Sequence, residues 1–272
     1  MVEYPFSDNR SCSGDRLPSY NHPPVNEVVC GVRFQPSANF DVTHFGLLWT
    51  KFREKYPRVE HAAPIAQNID QFLVDSATGA PLPRVWFINE QDNQLVQFQP
   101  DRIYFNWRQR GDEYPRYDSV IRNFGEVLDT VESFFMEFEL GELIPIECEL
   151  TYINHIKKGM ENVIDEIQTV FRDCMWQDGS RFLPKPIAIG WNMRFSLPDK
   201  KGQLIAKLSQ AIRKEDNIPV LILDLTARGI GPSTDRKGIR DWFDVAREWI
   251  VCGFADLTTE KVQKEVWEKE NA

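Results

Sequence analysis

The sequence predicts an α+β fold: an antiparallel sheet with helices packed on one face, built by tandem duplication of a βαβββα unit with pseudo-twofold symmetry. Two observations predict it. Hydrophobic periodicity spells strand, helix, three short strands and a long helix across 27–140, and the same series recurs across 145–256. Strands at this spacing, with long helices between the groups, pair antiparallel and take their helices on one side. Alternation of side chains then lets the other sheet face meet solvent. The expected organisation is a flexible segment 1–23, a first half 24–143, and a second half 144–272 ending in a short helix.

Each element follows from local chemistry. Residues 1–23 are rich in Ser, Asn, Pro and Gly without periodicity, and Pro23-Pro24 stiffens the entry to a strand at 27–34. Asp41 is a good N-cap for a helix at 42–56, where Val42, Phe45, Trp49, Phe52 and Tyr56 recur at helical spacing until Pro57. Residues 57–83 read as an irregular loop, long enough to suggest a lid or partner arm. Strands follow at 84–89, 94–99 and 102–108, turned by Gln91-Asp92-Asn93 and Pro100-Asp101. The helix at 117–140 carries Tyr117, Ile121, Phe124, Leu128, Val131, Phe135 and Phe138 in alternating steps of four and three. With Val120, Val127 and Phe134 widening the stripe, it reads as a helix lying on a sheet rather than a coiled-coil seam, and Gly141 should end it.

After Pro145 the pattern repeats: a strand at 146–156, a helix from Met160 to Cys174, a connector at 176–186, and strands at 187–197, 203–213 and 220–230. The turn 198–202 makes a hairpin of the first two. Ile239, Trp242, Phe243, Ala246, Ile250 and Phe254 place a helix at 237–255, and Thr258 can cap a last one reaching Trp267.

Composition narrows the class. A 272-residue chain that is 42% hydrophobic and 12% aromatic has the makings of a large core. It holds no apolar run near the roughly 20 residues that cross a bilayer, and its start lacks a secretory pattern, so a cytoplasmic protein is expected. The five cysteines are scattered without a C-x-x-C, and are expected as buried reduced thiols rather than a disulfide framework. A net charge of -9 argues against nucleic acid as the main direct ligand and suits a basic protein partner.

No catalytic fingerprint appears. The four histidines are far apart in sequence, so no metal is expected. Arg228-Gly-Ile-Gly-Pro lacks the third glycine of a phosphate loop, so no nucleotide cofactor is expected either, although Gly238 could leave helix N–H groups free near Arg228. No G-x-S-x-G occurs. What remains is a polar sheet side. By alternation, Gln97 and Gln99 share one side, as do Tyr104, Asn106 and Arg108; Glu147, Glu149, Thr151 and His155; Asn192 and Arg194; and Asp224, Thr226 and Arg228. Arginine forks of this kind suit carboxylate or phosphate groups. The bland alternative is a solvated face with Arg108 and Arg228 paired to Glu149 and Asp224. Glu149 and His155, on one side of a strand but about 20 Å apart, are too distant to act on one proton.

The stretch from Leu17 to Phe34 (LPSYNHPPVNEVVCGVRF), with FNWR at 105–108, YPRY at 114–117, ELTYINHI at 149–156, LTARG at 225–229 and Leu257-Thr-Thr, resembles an uncharacterised, sporadically distributed prokaryotic family of about this length. The resemblance covers nearly the whole chain after residue 16 and carries no assigned activity or catalytic residue. It implies an accessory role such as defence or toxin neutralisation.

The expected function is therefore a non-enzymatic binding or regulatory subunit that engages a protein partner or a small anionic ligand. Its candidate residues are Asn106, Arg108, Glu149, Asn154, His155, Arg194, Asp224 and Arg228. One alternative is an enzyme using Asn106, Arg108, Glu149 and either Asn154 or His155, which point to opposite sides of their strand. The other is a homodimer assembled through a sheet edge or the 117–138 helix face.

Overall fold

The computed structural model describes residues 17–65, 73–75, 78–111, 114–157, 163–173, 179–213 and 216–270. In chain order its elements are β1 (Val25–Phe34), α1 (Thr43–Phe52), β2 (Arg58–Ala62), β3 (Arg84–Ile88), β4 (Gln94–Gln99), β5 (Arg102–Arg108), α2 (Arg116–Glu137), β6 (Pro145–Lys157), α3 (Val163–Val170), β7 (Trp191–Ser196), β8 (Gln203–Ile212), β9 (Pro219–Gly229), α4 (Arg236–Leu257) and α5 (Glu260–Glu265). The strands form one nine-stranded antiparallel sheet in the order β2-β3-β4-β5-β1-β6-β9-β8-β7. Outward from its centre the succession is β1, β5, β4, β3 on one side and β6, β9, β8, β7 on the other; β2 has no counterpart. The fold is α+β, as the periodicity predicts.

The chain divides into two compact units: Asn26–Thr151 with Gly229–Arg240, and Met1–Val25 with Tyr152–Arg228 and Asp241–Ala272. The division falls inside β6, past the 143/144 junction expected from the sequence.

In the first unit the ladders fix which residues share a face. Phe87, Val96, Phe105 and Cys30 lie opposite one another across β3, β4, β5 and β1, as do Val85, Phe98, Ile103 and Val32. All eight are buried. Helices α1 and α2 cover this side: Phe52 stacks on Phe87 at 5.6 Å, Phe45 meets Phe98 edge-on at 6.0 Å, and Phe135 meets Phe34 at 5.9 Å. The α2 stripe is buried from Tyr117 to Phe135, so its regular seam is a sheet-packing face. The N-cap of α1 is Val42, which makes no side-chain cap, rather than the expected Asp41, whose carboxylate accepts the Thr43 N–H at 2.9 Å from one position further out.

In the second unit Met193, Ala206 and Leu225 align across β7, β8 and β9, with Phe195, Leu204 and Ala227 beside them. Helix α4 comes close on this side: a Cβ on Gly253 would lie 3.2 Å from Leu204 Cδ2. Trp242 of α4 donates from Nε1 to the Lys201 carbonyl at 2.9 Å.

Several sequence expectations are corrected. The loop 57–83 is not wholly irregular, because Arg58–Ala62 pairs with β3 as an edge strand. Arg58 to His61 are exposed and the strand is mostly polar, so no apolar alternation marks it. Residues 187–190 precede β7 rather than belonging to it. Of the flexible lead-in, Ser19–His22 is built in: Asn21 and His22 N–H groups donate to Glu268 and Trp267 carbonyls, both at 3.1 Å, and Tyr20 is buried against Phe254 and Trp267. The aromatic ring decides the matter, which a count of Ser, Asn and Pro conceals. Thr259, not Thr258, caps α5, its side chain accepting from Val262 N–H. The start of α4 is not free, since Asp235 accepts the Gly238 N–H at 2.6 Å. The expected helix 160–174 begins in residues outside the described set, and its described part is α3.

Of the cysteines, two are as expected and Cys252 is not. Cys30 and Cys148 are buried free thiols, and burial pushes the Cys148 thiol up to about 12. Cys252 is disulfide-bonded. Native, non-reducing alkylation should therefore leave Cys30 and Cys148 unlabelled, and denaturation without reductant should expose both while Cys252 stays closed. Peptide mass mapping that finds Cys252 alkylated before reduction would refute the bond.

Candidate functional site: a polar sheet face

The other face of the first unit's strands is polar, and the ladders order it into rows. Arg33, Arg102 and Gln99 form one row across β1, β5 and β4, and the β3–β4 register, carried one residue beyond the Val85–Phe98 pair, brings Arg84 into line with it. Gly31, Tyr104, Gln97 and Trp86 form the next, followed by Val29, Asn106, Leu95 and Ile88, and then by Glu27 opposite Arg108.

A hydrogen-bond relay runs diagonally over these rows. Arg84 Nη1 donates to Gln97 Oε1 at 3.2 Å, Gln97 Nε2 donates to Asn106 Oδ1 at 2.7 Å, and Asn106 Nδ2 donates to Glu27 Oε1 at 2.6 Å. Every donor points from the cation towards the carboxylate. Two side-chain amides thus join a charge on β3 to the opposite charge on β1. Burial strengthens such a chain and makes any broken link costly.

Two ion clusters flank the relay. Asp92, at the β3–β4 turn, takes Arg110 at 2.8 Å, Arg108 at 2.9 Å and Arg58 at 3.3 Å. Burial alone would raise the Asp92 pKa, but these three arginines hold it below the ordinary carboxylate range. At the other end Arg33 stands directly opposite Arg102, a like-charge pairing that a sheet disfavours. The pairing is neutralised locally. Asp101, fully buried, grips Arg102 through Nε at 3.0 Å and Nη2 at 2.7 Å, while Arg33 lies 4.0 Å from Glu147. Gln99 also donates to Asp101 at 3.1 Å, and its amide takes the backbone of Ile65 at both ends, accepting N–H at 2.8 Å and donating to the carbonyl at 3.0 Å.

Glu27 is the titratable end of the relay. Burial raises its pKa, against the pull of the Asn106 hydrogen bond and of Arg108 and Arg110. The folded chain therefore binds its proton at a pH where the unfolded chain has released it. Stability contributed at this site falls as pH rises from the ordinary value of 4.5 through the raised one. Glu27→Gln keeps an acceptor for Asn106, removes this fall, and should raise stability at pH 7 relative to the parent. Urea titrations at pH 5 and pH 7 check it. An unchanged pH slope in the variant would mean Glu27 is not the group concerned.

The sequence candidates are placed as follows. Asn106 is 4% exposed and belongs to the relay. Arg108 is paired with Asp92, not with Glu149. Thr151 Oγ1 lies 3.5 Å from Glu149 Oε1 on the same side of β6. Asn154 lies on the opposite side of β6 from Glu149, buried at 2% exposure and donating to the Leu223 carbonyl at 3.0 Å. His155 donates its backbone N–H to the Pro24 carbonyl at 2.9 Å. In the second unit Arg194, Ile205 and Thr226 form one row, Asn192, Lys207 and Asp224 the next, and Ser196, Gln203 and Arg228 a third. Arg194 and Arg228 are exposed, and Asp224 accepts the Thr226 hydroxyl at 2.7 Å.

The first unit's face is less open than alternation suggests. Gln99 is 1% exposed, Arg102 5% and Tyr104 9%. Arg33, Arg84, Arg102, Glu27 and Trp86 were not singled out from the sequence. Parity with Asn106 places Arg102 on this side, but only the register aligns Arg33 and Arg84 with it. Four buried donors here, Arg33 Nε, Arg84 Nε, Trp86 Nε1 and Arg108 Nε, have no acceptor among the described residues. Arg84 also lies 5.4 Å over the Trp86 ring. Among the described residues no group of three or more His, Cys, Asp or Glu side chains could hold a metal ion, and no helix is long and apolar enough to cross a membrane.

Comparison with protein-family models, with curated proteins and with solved structures finds no match. The resemblance drawn above rests on its sequence segments alone.

Proposed function

We propose that the chain is a binding or regulatory subunit whose first-unit polar face takes an anionic group, a carboxylate or a phosphate. The observation that carries this is the set of three buried donors on neighbouring rows of one sheet face, Arg33 Nε, Arg84 Nε and Trp86 Nε1, that have no acceptor among the described residues. A buried unsatisfied donor costs about 1–3 kcal/mol, so folds seldom keep several together without use. Arginine forks beside a Trp N–H match the geometry of planar or tetrahedral oxyanions. The side chains named for the enzymatic alternative are engaged elsewhere: Asn106 with Glu27, Arg108 with Asp92, Asn154 with a backbone carbonyl.

The same shared chemistry could come from a free small anion or from a carboxylate on a partner's surface. Calorimetric titration with orthophosphate and with citrate tests the first source. Co-purification from the native host tests the second, in line with the accessory defence or toxin-neutralising role and cytoplasmic location that belong to this proposal. The equivalent strand succession in the two halves supports, in the same spirit, descent from one doubled βαβββα unit. Arg33→Met is the variant of choice, because Arg33 is partly exposed and its Glu147 contact is long, at 4.0 Å. It should weaken anion or partner capture about tenfold while leaving the melting temperature within a few degrees. Parent protein that neither takes up anions nor retains a partner would overturn the proposal.

A further inference from the structure

We infer that β7 is a docking edge, to which a partner protein adds an extended acidic segment as a further strand. The site lies in the second unit and is independent of the anion-binding face. Its first support is position. β7 ends the strand order, so among the described residues no further strand of the sheet faces its outer main-chain groups. An exposed edge of this kind is a template for another strand.

Its second support is the chain that leads in. Residues 179–190 contain no helix or strand, and Ile189 is tied alongside β8 by Gln210, whose Nε2 donates to its carbonyl at 3.1 Å. This lead-in exposes Phe182 fully, Ile187 at 95% and Leu183 at 68%. Phe195, within β7, is 38% exposed. Large apolar side chains exposed along one stretch of chain mark an interaction site more often than singly scattered ones do.

Its third support is charge, which selects the partner. From 181 to 207 the chain carries six basic residues, Arg181, Lys185, Arg194, Lys200, Lys201 and Lys207, against one acidic residue, Asp199. That is a local net charge of +5 in a chain of net charge -9. Arg194 and Lys207 lie in adjacent rows on one face of β7 and β8, and both are exposed. Lys185 pairs with Asp165 at 3.2 Å and Lys201 with Asp199 at 3.3 Å, but exposed pairs of this kind are weak and leave the surface cationic. The opposite edge, β2, is guarded by both signs, Arg58 and Glu60. A basic edge with exposed apolar side chains fits an acidic strand with alternating apolar residues. This is the reverse of the basic partner suggested by the total charge.

The test uses the full chain and a fluorescent eight-residue peptide alternating Glu with Val, read by anisotropy. Controls are the same peptide with Lys for Glu, the same peptide N-methylated at alternate residues to block main-chain pairing, and a labelled single-stranded oligonucleotide. The acidic peptide should bind saturably, more weakly at 0.5 M salt, and amides of 191–196 should gain protection from hydrogen exchange. Arg194→Glu with Lys207→Glu, both exposed, should weaken binding at least about tenfold without shifting the melting temperature appreciably. The N-methylated and Lys peptides should fail. Absence of saturation, equal binding of the Lys or N-methylated peptide, or binding of the oligonucleotide alone would overturn the inference. Concentration-dependent dimerisation abolished by Phe182→Ser with Ile187→Ser would also overturn it, assigning the edge to a second copy.

Discussion

Gly31→Ala should destabilise the protein by about 3 kcal/mol, at the upper end of what overpacking costs. A Cβ at this position would lie 2.0 Å from Tyr104 Cδ1 and 2.3 Å from Cε1. These are atoms of the ring body, so the whole ring must move, and it cannot move alone. Arg102, within hydrogen-bonding reach of Tyr104, is fixed by Asp101, and Arg84 lies close by. Glycine is required at 31 by the ring above it, not by backbone conformation. The direct check is a double-mutant cycle. Tyr104→Ala removes the obstruction, so the double variant should be little less stable than Tyr104→Ala alone, with a coupling energy of about 2 kcal/mol. Additive losses would show that the Gly31 effect arises elsewhere.

Asn106→Leu should cost about 3 kcal/mol, which for a chain of this size lowers the melting temperature by roughly 5 °C. Leucine fills the space but accepts and donates nothing. Gln97 then loses its acceptor and Glu27 its donor, both on a part-buried face. Leaving such partners unmatched costs more than the bond itself contributed. Arg84→Met should cost less, because it breaks only the 3.2 Å link at the end of the relay. The ordering Asn106→Leu well above Arg84→Met, measured by thermal and urea unfolding, is the signature of a connected chain. Equal costs would reduce the relay to separate contacts.

The fold was largely legible because its strong elements carry strong periods. The α2 stripe from Tyr117 to Phe135 and the alternation of Val85 with Phe87 are written directly in the sequence. β2 carries no signal because an edge strand exposed on both faces buries no apolar row, so Arg58-Val-Glu-His-Ala shows no alternation and even Val59 is 40% exposed. The site was half legible. Parity places Tyr104, Asn106 and Arg108 on one side of a strand, and the structure keeps them there. Parity does not give register. Without it Arg33, Arg102 and Arg84, drawn from segments up to 69 positions apart, cannot be seen as one row. Partner choice was also hidden: Asp92 looks like a turn residue, yet its carboxylate gathers three arginines. Asn154 illustrates the converse, a polar residue in a conspicuous segment whose amide serves a core carbonyl.

The buried donors on the polar face can be observed one by one. Proton–nitrogen NMR of the full chain, tuned to arginine Nε–H and tryptophan Nε1–H groups, resolves Arg33, Arg84, Arg108 and Trp86 with assignment by single substitution. On titration with orthophosphate or citrate, Arg33, Arg84 and Trp86 should shift together along one saturating curve, while the arginines of the second unit stay still. Donors that do not move, or that drift linearly in step with every exposed arginine, would contradict an anion site on this face.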